Sequence, residues 1–172
     1  MTRFLREAGA WLRRRAENVL AALLGIMFVA FILQIVFRYF FNFPVGWTTE
    51  LTLVAWLWMV LWGSAFVLKE SEEIRFDLVY SAVGPLARRI MAILMAAALV
   101  ALYAISLPAT VKYVSFMKVE RSSHLHIRLD YLYSIFVIFA VAVIVRYVWI
   151  LWQLLRGKDP EASDSAKVSS GL

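Results

Sequence analysis

The chain contains no cysteine, which excludes disulfide bonds, thiolate nucleophiles and thiolate metal ligands. Charged residues make up only 17% of the 172 residues and hydrophobic residues 63%, whereas soluble domains average about 25% and roughly 45–50%. No Gly-rich phosphate loop, G-x-S-x-G or H-E-x-x-H motif occurs. We therefore predict a protein that is not an enzyme, carries no cofactor and is solvated mainly by lipid.

Histidine is also scarce, since only His124 and His126 occur, and both fall in one predicted loop. A haem in a helical membrane protein needs histidines on facing helices, so haem ligation is excluded. A metal ion on this His-x-His pair would need more ligands, and only Glu120 and Asp130 are near in sequence. Exposed loop polarity is the simpler interpretation, and we predict no metal site.

Four apolar runs dominate the sequence, and each approaches the roughly 20 residues needed to cross about 30 Å of hydrocarbon. We predict an all-α membrane protein with transmembrane helices over about residues 18–41, 50–69, 89–112 and 130–155. The fourth run is interrupted by Arg146, which we expect to snorkel toward the headgroups or to be paired inside the protein.

The two ends of the chain differ in composition from this four-helix domain, residues 18–156. In residues 1–17 arginines alternate with apolar residues, which predicts an amphipathic helix at the cytoplasmic membrane face that runs into the first span. No small-residue cleavage site follows the first span, so we do not interpret it as a signal peptide. Residues 157–172 have few large apolar residues and are predicted to form a disordered cytoplasmic tail.

The basic residues predict the orientation of the chain in the membrane. Of the 18 Lys and Arg, 13 lie on the side of the two termini and the loop between the second and third spans. The positive-inside rule therefore places both termini in the cytoplasm. The net charge of +6 is explained in this way as a topology signal, and we predict membrane lipids and no nucleic acid as partners.

Ionisable residues are almost absent from the predicted spans, and only isolated polar residues such as Gln34, Ser64 and Ser106 occur there. A self-assembling small channel or holin-like protein, which we keep as the alternative, would need a polar stripe along one helix. A membrane enzyme or cytochrome would need intramembrane His, Asp or Glu and is weaker still.

The second span is rich in large aromatic residues. Trp58 and Trp62 share one helix face, Trp56 points elsewhere, and Gly63 would let another backbone approach closely. Such a surface can lie against lipid, pack within the chain or contact another membrane protein. We treat these four residues as a candidate interface with a larger membrane subunit.

The turn between the first two spans runs from Arg38 through Pro44 and Trp47 to Glu50 and Leu51. This order resembles the signature region of the small membrane subunit (Q-type) of tripartite ATP-independent periplasmic (TRAP) transporters. Residues 63–65 and the segment 69–77, with Ile74-Arg75-Phe76-Asp77, are also similar to that family, as are the length and the four-span layout. Two positions depart from the family pattern: Glu73 stands where a His is frequent, and residues 127–136 contain no Pro or Gly. The substrate is therefore left open.

The resemblance implies a multi-pass protein of the bacterial inner membrane with two partners. One is a large membrane subunit that carries the substrate and sodium sites, and the other is a periplasmic substrate-binding protein that delivers an organic acid. The chain itself would be a non-catalytic scaffold. We expect docking of the binding protein on residues 42–49 and 112–130, with four candidate contact residues: Trp47, Lys118, Arg121 and Arg128.

Arg38 and Glu50 should lie at the same membrane face on neighbouring helices. A partly desolvated ion pair between them would satisfy both charges and fix the helical hairpin. Two separately solvated charges are the alternative.

Overall fold

The computed structural model describes residues 2–43, 45–68 and 84–156, and helices account for most of them. Helix α1 is followed by α2, which continues into a π-helical turn, then by α3, a short 3-10 turn and α4. Their bounds are α1 Thr2–Tyr39, α2 Gly46–Trp62, the π-helical turn Gly63–Val67, α3 Pro85–Phe116, the 3-10 turn Met117–Val119 and α4 Leu129–Leu155.

Four helical segments in the described residues are long and apolar enough to cross a membrane, which confirms the predicted helical membrane class. These segments are Trp11–Tyr39, Gly46–Val67, Leu86–Val119 and Leu129–Leu155. Helix α1 is continuous over 38 residues, so the predicted N-terminal helix and the first span form one element. The predicted tail and the Ile74 to Asp77 motif lie outside the described residues.

Helix α1 ends at Tyr39, and shortly afterwards the backbone takes a left-handed conformation. Asn42 has a positive φ of 51°, a region that Asn tolerates better than most residues. The Phe43 N–H donates to the Phe37 carbonyl at 3.1 Å, which closes the turn. Helix α2 then begins at Gly46.

The chain divides into two compact units, and α3 and α4 each contribute to both. The first unit comprises Met1–Val67 and Thr110–Phe139. Its most buried side chains are Ile135 and Thr48, both 0% exposed. Small residues such as Ala30 and Ala55 are also buried, as expected where membrane helices approach closely.

Two indole N–H groups tie the helices of the first unit together. Trp58 donates to the Leu132 carbonyl of α4 at 2.9 Å, and Trp62 donates to the Ala16 carbonyl of α1 at 3.2 Å. Both acceptors lie within helices, where a carbonyl oxygen has a second lone pair available. Hydropathy treats tryptophan as an apolar residue, yet here its polar edge joins neighbouring helices.

The second unit comprises Leu68–Ala109 and Ala140–Leu172, and two arginines act within its described part. Arg89 donates to the Leu154 carbonyl at 2.7 Å, and Arg146 donates to the Leu68 carbonyl at 2.7 Å. Both carbonyls lie at the C-terminal end of a helical segment, where a cation is favourable and the last carbonyls lack helical partners. Arg146 thus has a backbone partner at a helix end, and its snorkelling toward the headgroups stays a prediction.

The Trp58 hydrogen bond can be tested by Trp58→Phe, which keeps an aromatic ring and removes the N–H. We expect the free energy of unfolding in detergent micelles to fall by about 0.5–1.5 kcal/mol, the usual size of such a bond. Trp56→Phe is the matched control, because Trp56 is 54% exposed on the same helix. Equal effects of the two variants on thermal or SDS-induced unfolding would contradict the assignment.

Candidate functional site

Residues 120–128, here called the α3–α4 loop, form a small self-closed hairpin. Ser122 N–H donates to the Ile127 carbonyl at 2.9 Å, and Leu129 N–H donates to the Glu120 carbonyl at 3.1 Å. His126 takes a positive φ of 53° at the reversal. The loop therefore has its own backbone hydrogen bonds and presents a defined surface.

Glu50 of α2 anchors this loop. Its Oε2 atom accepts hydrogen bonds from the backbone N–H groups of His124 at 2.9 Å and Leu125 at 3.1 Å. The buried hydroxyl of Ser122 also faces this carboxylate, but it makes no hydrogen bond of good geometry within the described residues. A carboxylate acceptor strengthens such bonds relative to a neutral one. One side chain thus connects the start of α2 to a loop 74 residues away.

The Glu50 contact is supported by close packing of Gly46 against His124. A Cβ atom at Gly46 would overlap the His124 imidazole ring, so the ring occupies space that only glycine leaves open at this position. His124 Nδ1 also lies 3.8 Å from Glu50 Oε2. The α3–α4 loop is therefore seated directly on the first turn of α2.

The structure does not form the expected ion pair between Arg38 and Glu50. Glu50 faces the α3–α4 loop and takes its N–H groups as partners, whereas Arg38 is exposed in the last turn of α1. At this end of the two helices, Gln34 of α1 instead makes a direct polar contact, since its Nε2 donates to Thr49 Oγ1 of α2 at 3.2 Å. Arg38 thus lies at the helix end that favours a positive charge.

The four candidate docking residues belong to the first unit but differ in their contacts. Arg128 is engaged by Asp130 through two hydrogen bonds of 3.1 and 2.6 Å and stacks 4.9 Å above the Tyr131 ring. The Asp130 carboxylate raises the pKa of Arg128 above its ordinary value, so this guanidinium stays charged. Lys118, Arg121 and Trp47 are exposed. Two cations and one indole therefore remain at the surface around the loop.

Of the four residues of the candidate interface with a larger subunit, Trp56 is the one that is clearly exposed. Trp58 and Trp62 are held by the backbone bonds described above, and Gly63 packs against the Leu20 side chain, which a Cβ atom would approach to 3.3 Å. Trp56 is exposed together with Leu53 and Val60. Three of the four residues thus serve packing inside the chain, and the outward stripe consists of Leu53, Trp56 and Val60.

No group of three His, Cys, Asp or Glu side chains in the described residues could hold a metal ion. His124 packs on Gly46, and His126 forms the loop reversal. The Glu50 contact was missed by sequence reasoning, because nothing in the local pattern around position 50 points to positions 124 and 125. Only the fold of the loop brings their N–H groups to the carboxylate.

The described helices are long and apolar enough to cross a membrane, which defines a helical membrane protein. Polar contacts such as those of Glu50 and Arg89 lie at or near the ends of these helices. The family model for the DctQ component of tripartite ATP-independent periplasmic transporters matches residues 27–157. The chain therefore belongs to this family and is a small membrane subunit of a TRAP transporter. No curated protein matches the chain.

The role of Glu50 can be tested by hydrogen exchange at the α3–α4 loop. In Glu50→Ala, the amides of His124 and Leu125 lose their acceptor, and we expect their exchange to accelerate by about tenfold or more, in line with charged hydrogen bonds of about 1.5–3 kcal/mol. Glu50→Gln keeps a neutral acceptor and should give an intermediate rate. Glu120→Gln is the control, because it removes an exposed carboxylate at the start of the loop and leaves the Glu50 contact in place. Unchanged protection in Glu50→Ala would contradict the assignment.

Proposed function

We propose that this chain is a non-catalytic scaffold that supports the large transport subunit and helps to dock the periplasmic substrate-binding protein during sodium-coupled uptake of an organic acid. The observation that carries the docking role is the seating of the α3–α4 loop on Glu50 and Gly46. A loop fixed in this way presents its charges in one geometry, which reduces the entropy lost when a partner binds.

Family membership supports the two partners, because TRAP systems are tripartite and combine this component with a large membrane subunit and a periplasmic binding protein. The polar side chains of the described spans support a scaffold more than a pore. Thr52 donates to the Thr48 carbonyl at 2.8 Å, and Ser134 donates to the Tyr131 carbonyl at 2.7 Å. The donor of each hydroxyl is thus used within its own helix, as is common for Ser and Thr in membrane helices.

Contact with the large subunit is proposed for the outward stripe of α2, with Trp56 at its centre. Leu53, Trp56 and Val60 recur at intervals of three and four residues and are all exposed, so they form one helix face. A tryptophan on such a face offers a large rigid surface for a partner. Trp58, Trp62 and Gly63 contribute indirectly, because they fix how α2 sits against its neighbours.

The proposal requires that both termini lie in the cytoplasm and that the α1–α2 turn and the α3–α4 loop lie in the periplasm of a bacterial inner membrane. The distribution of Lys and Arg supports this orientation. The same orientation places Trp47, Lys118 and Arg121 on the side from which a periplasmic protein would approach.

The orientation can be measured by cysteine labelling, since the chain has no cysteine of its own. A membrane-impermeant maleimide added to spheroplasts should label Ser123→Cys in the α3–α4 loop. Ser169→Cys, near the C-terminus, should react only after the membrane is permeabilised. The reverse labelling pattern would refute the orientation and with it the docking role.

The docking surface can be tested by reversing its two exposed cations in Lys118→Glu/Arg121→Glu. We expect uptake by the reconstituted three-component system to fall on the order of tenfold, because like charges slow association with an acidic partner. Copurification with the large subunit should not change. Lys118→Arg/Arg121→Lys preserves both charges and should retain uptake.

Unchanged uptake in the charge-reversal variant would remove the docking surface from the proposal. Vesicles that contain this chain alone provide the baseline for the same assay. Sodium-dependent uptake without the large subunit would refute the scaffold role, whatever the result for the loop.

A further inference from the structure

A second feature at the same end of the first unit is a polar cleft of about 430 Å³ between the end of α1, the start of α2 and the α3–α4 loop. It is separate from the exposed loop cations discussed above. The residues that line it are Gln34, Arg38, Val45, Gly46, Thr49 and His124.

The charge in this cleft is positive. Arg38 contributes a guanidinium, and none of the described residues that line the cleft is acidic. No ion pair or hydrogen bond engages the Arg38 side chain within the part of the chain that the structure describes. Glu50, the carboxylate that contacts His124, accepts backbone N–H groups of the loop. Among the described lining residues, Arg38 is thus the one with a permanent positive charge, and its guanidinium brings several N–H donors to the cleft.

Further hydrogen-bond donors surround Arg38. Thr49 Oγ1 accepts a hydrogen bond from Gln34 Nε2, so its own proton can be donated to another group, and the Gln34 amide has a second N–H. A guanidinium with hydroxyl and amide donors matches a ligand group with several anionic oxygens, and phosphate fits this description best.

The depth of the cleft indicates where such a phosphate comes from. Arg38 lies in the last turn of a membrane-crossing helix, and the next residues, Tyr39, Phe40 and Phe41, are strongly exposed, with Phe40 at 84%. Exposed aromatic residues at the end of a membrane helix are typical of the headgroup region. Exposed Phe31 and Ile35 on α1 offer an apolar path for acyl chains below this level.

We propose that the Arg38 cleft binds the phosphate of an anionic phospholipid from the leaflet at this end of the helices. An anionic headgroup is favoured over choline or ethanolamine headgroups, because none of the described lining residues offers a carboxylate to an ammonium group. The bound lipid would fill the space between α1, α2 and the loop. This site does not depend on the docking role proposed above.

Native mass spectrometry of the full chain in detergent, titrated with phosphatidylglycerol, phosphatidylcholine or inorganic phosphate, tests the proposal. The chain should retain phosphatidylglycerol in preference to phosphatidylcholine. Arg38→Gln should weaken phosphatidylglycerol binding by about tenfold or more, since hydrogen bonds to charged groups contribute about 1.5–3 kcal/mol. Arg121→Gln removes an exposed cation outside the cleft lining and should bind as the parent does.

Thr49→Val provides an independent variant if Arg38→Gln is poorly folded, because it removes one donor from an exposed position and should weaken binding less than Arg38→Gln. Equal binding by the parent and both cleft variants would overturn the proposal. So would equal losses in Arg38→Gln and Arg121→Gln, which would indicate attraction by net charge alone. Displacement of the lipid by millimolar inorganic phosphate would show that the cleft takes free phosphate and would overturn its assignment to lipid.

Discussion

A backbone N–H or C=O group without a hydrogen-bond partner is costly wherever water is scarce, and this constraint shapes the long-range polar contacts of the chain. In the described residues, side chains of Glu50, Arg89 and Arg146 reach distant backbone groups at a loop or at the end of a helical segment. The indole N–H groups of Trp58 and Trp62 instead find acceptors in the second lone pairs of carbonyls within helices. In both cases a polar side chain of this apolar protein is paired with the main chain.

This use of polar groups has a consequence for function. Several polar side chains of the described helices bond to backbone carbonyls, which is compatible with the scaffold role proposed above. The α3–α4 loop and the start of α2 together form a surface that is more polar than the apolar helix faces. Glu50 and Gly46 hold this loop, so its geometry is set by α2 and by its own backbone hydrogen bonds.

The four apolar helices could be predicted from sequence because the signal is local: a run of about 20 apolar residues is sufficient. The resemblance carried by residues 38–51 likewise placed the chain in the correct family. The partner of Glu50 could not be predicted, because it depends on the backbone of a loop 74 residues away and on the positive φ of His126. The proximity of Arg38 and Glu50 in the hairpin predicts an ion pair, but the backbone N–H groups of His124 and Leu125 compete for the same carboxylate.

The tryptophans of α2 show a similar limit. Helical spacing separated Trp56 from Trp58 and Trp62, and the structure has them on different sides. Spacing alone did not indicate which side faces the rest of the chain, because that depends on carbonyls of α1 and α4 that lie far away in sequence. The position of Arg146 in an apolar run predicted either snorkelling or a partner inside the protein. Its hydrogen bond to the Leu68 carbonyl depends on the fold and could not be predicted from that position.

The π-helical turn Gly63–Val67 changes the angular register of the chain after α2. In a π-turn each N–H reaches back five residues rather than four, so the turn holds more residues than an α-helical turn. Trp62 and Phe66 still meet across it, with ring centroids 4.6 Å apart, while Gly63 leaves room for Leu20. The π-turn therefore shifts the angular positions of its own residues relative to an uninterrupted α-helix, while the α2 residues before it keep the faces that contact α1 and α4.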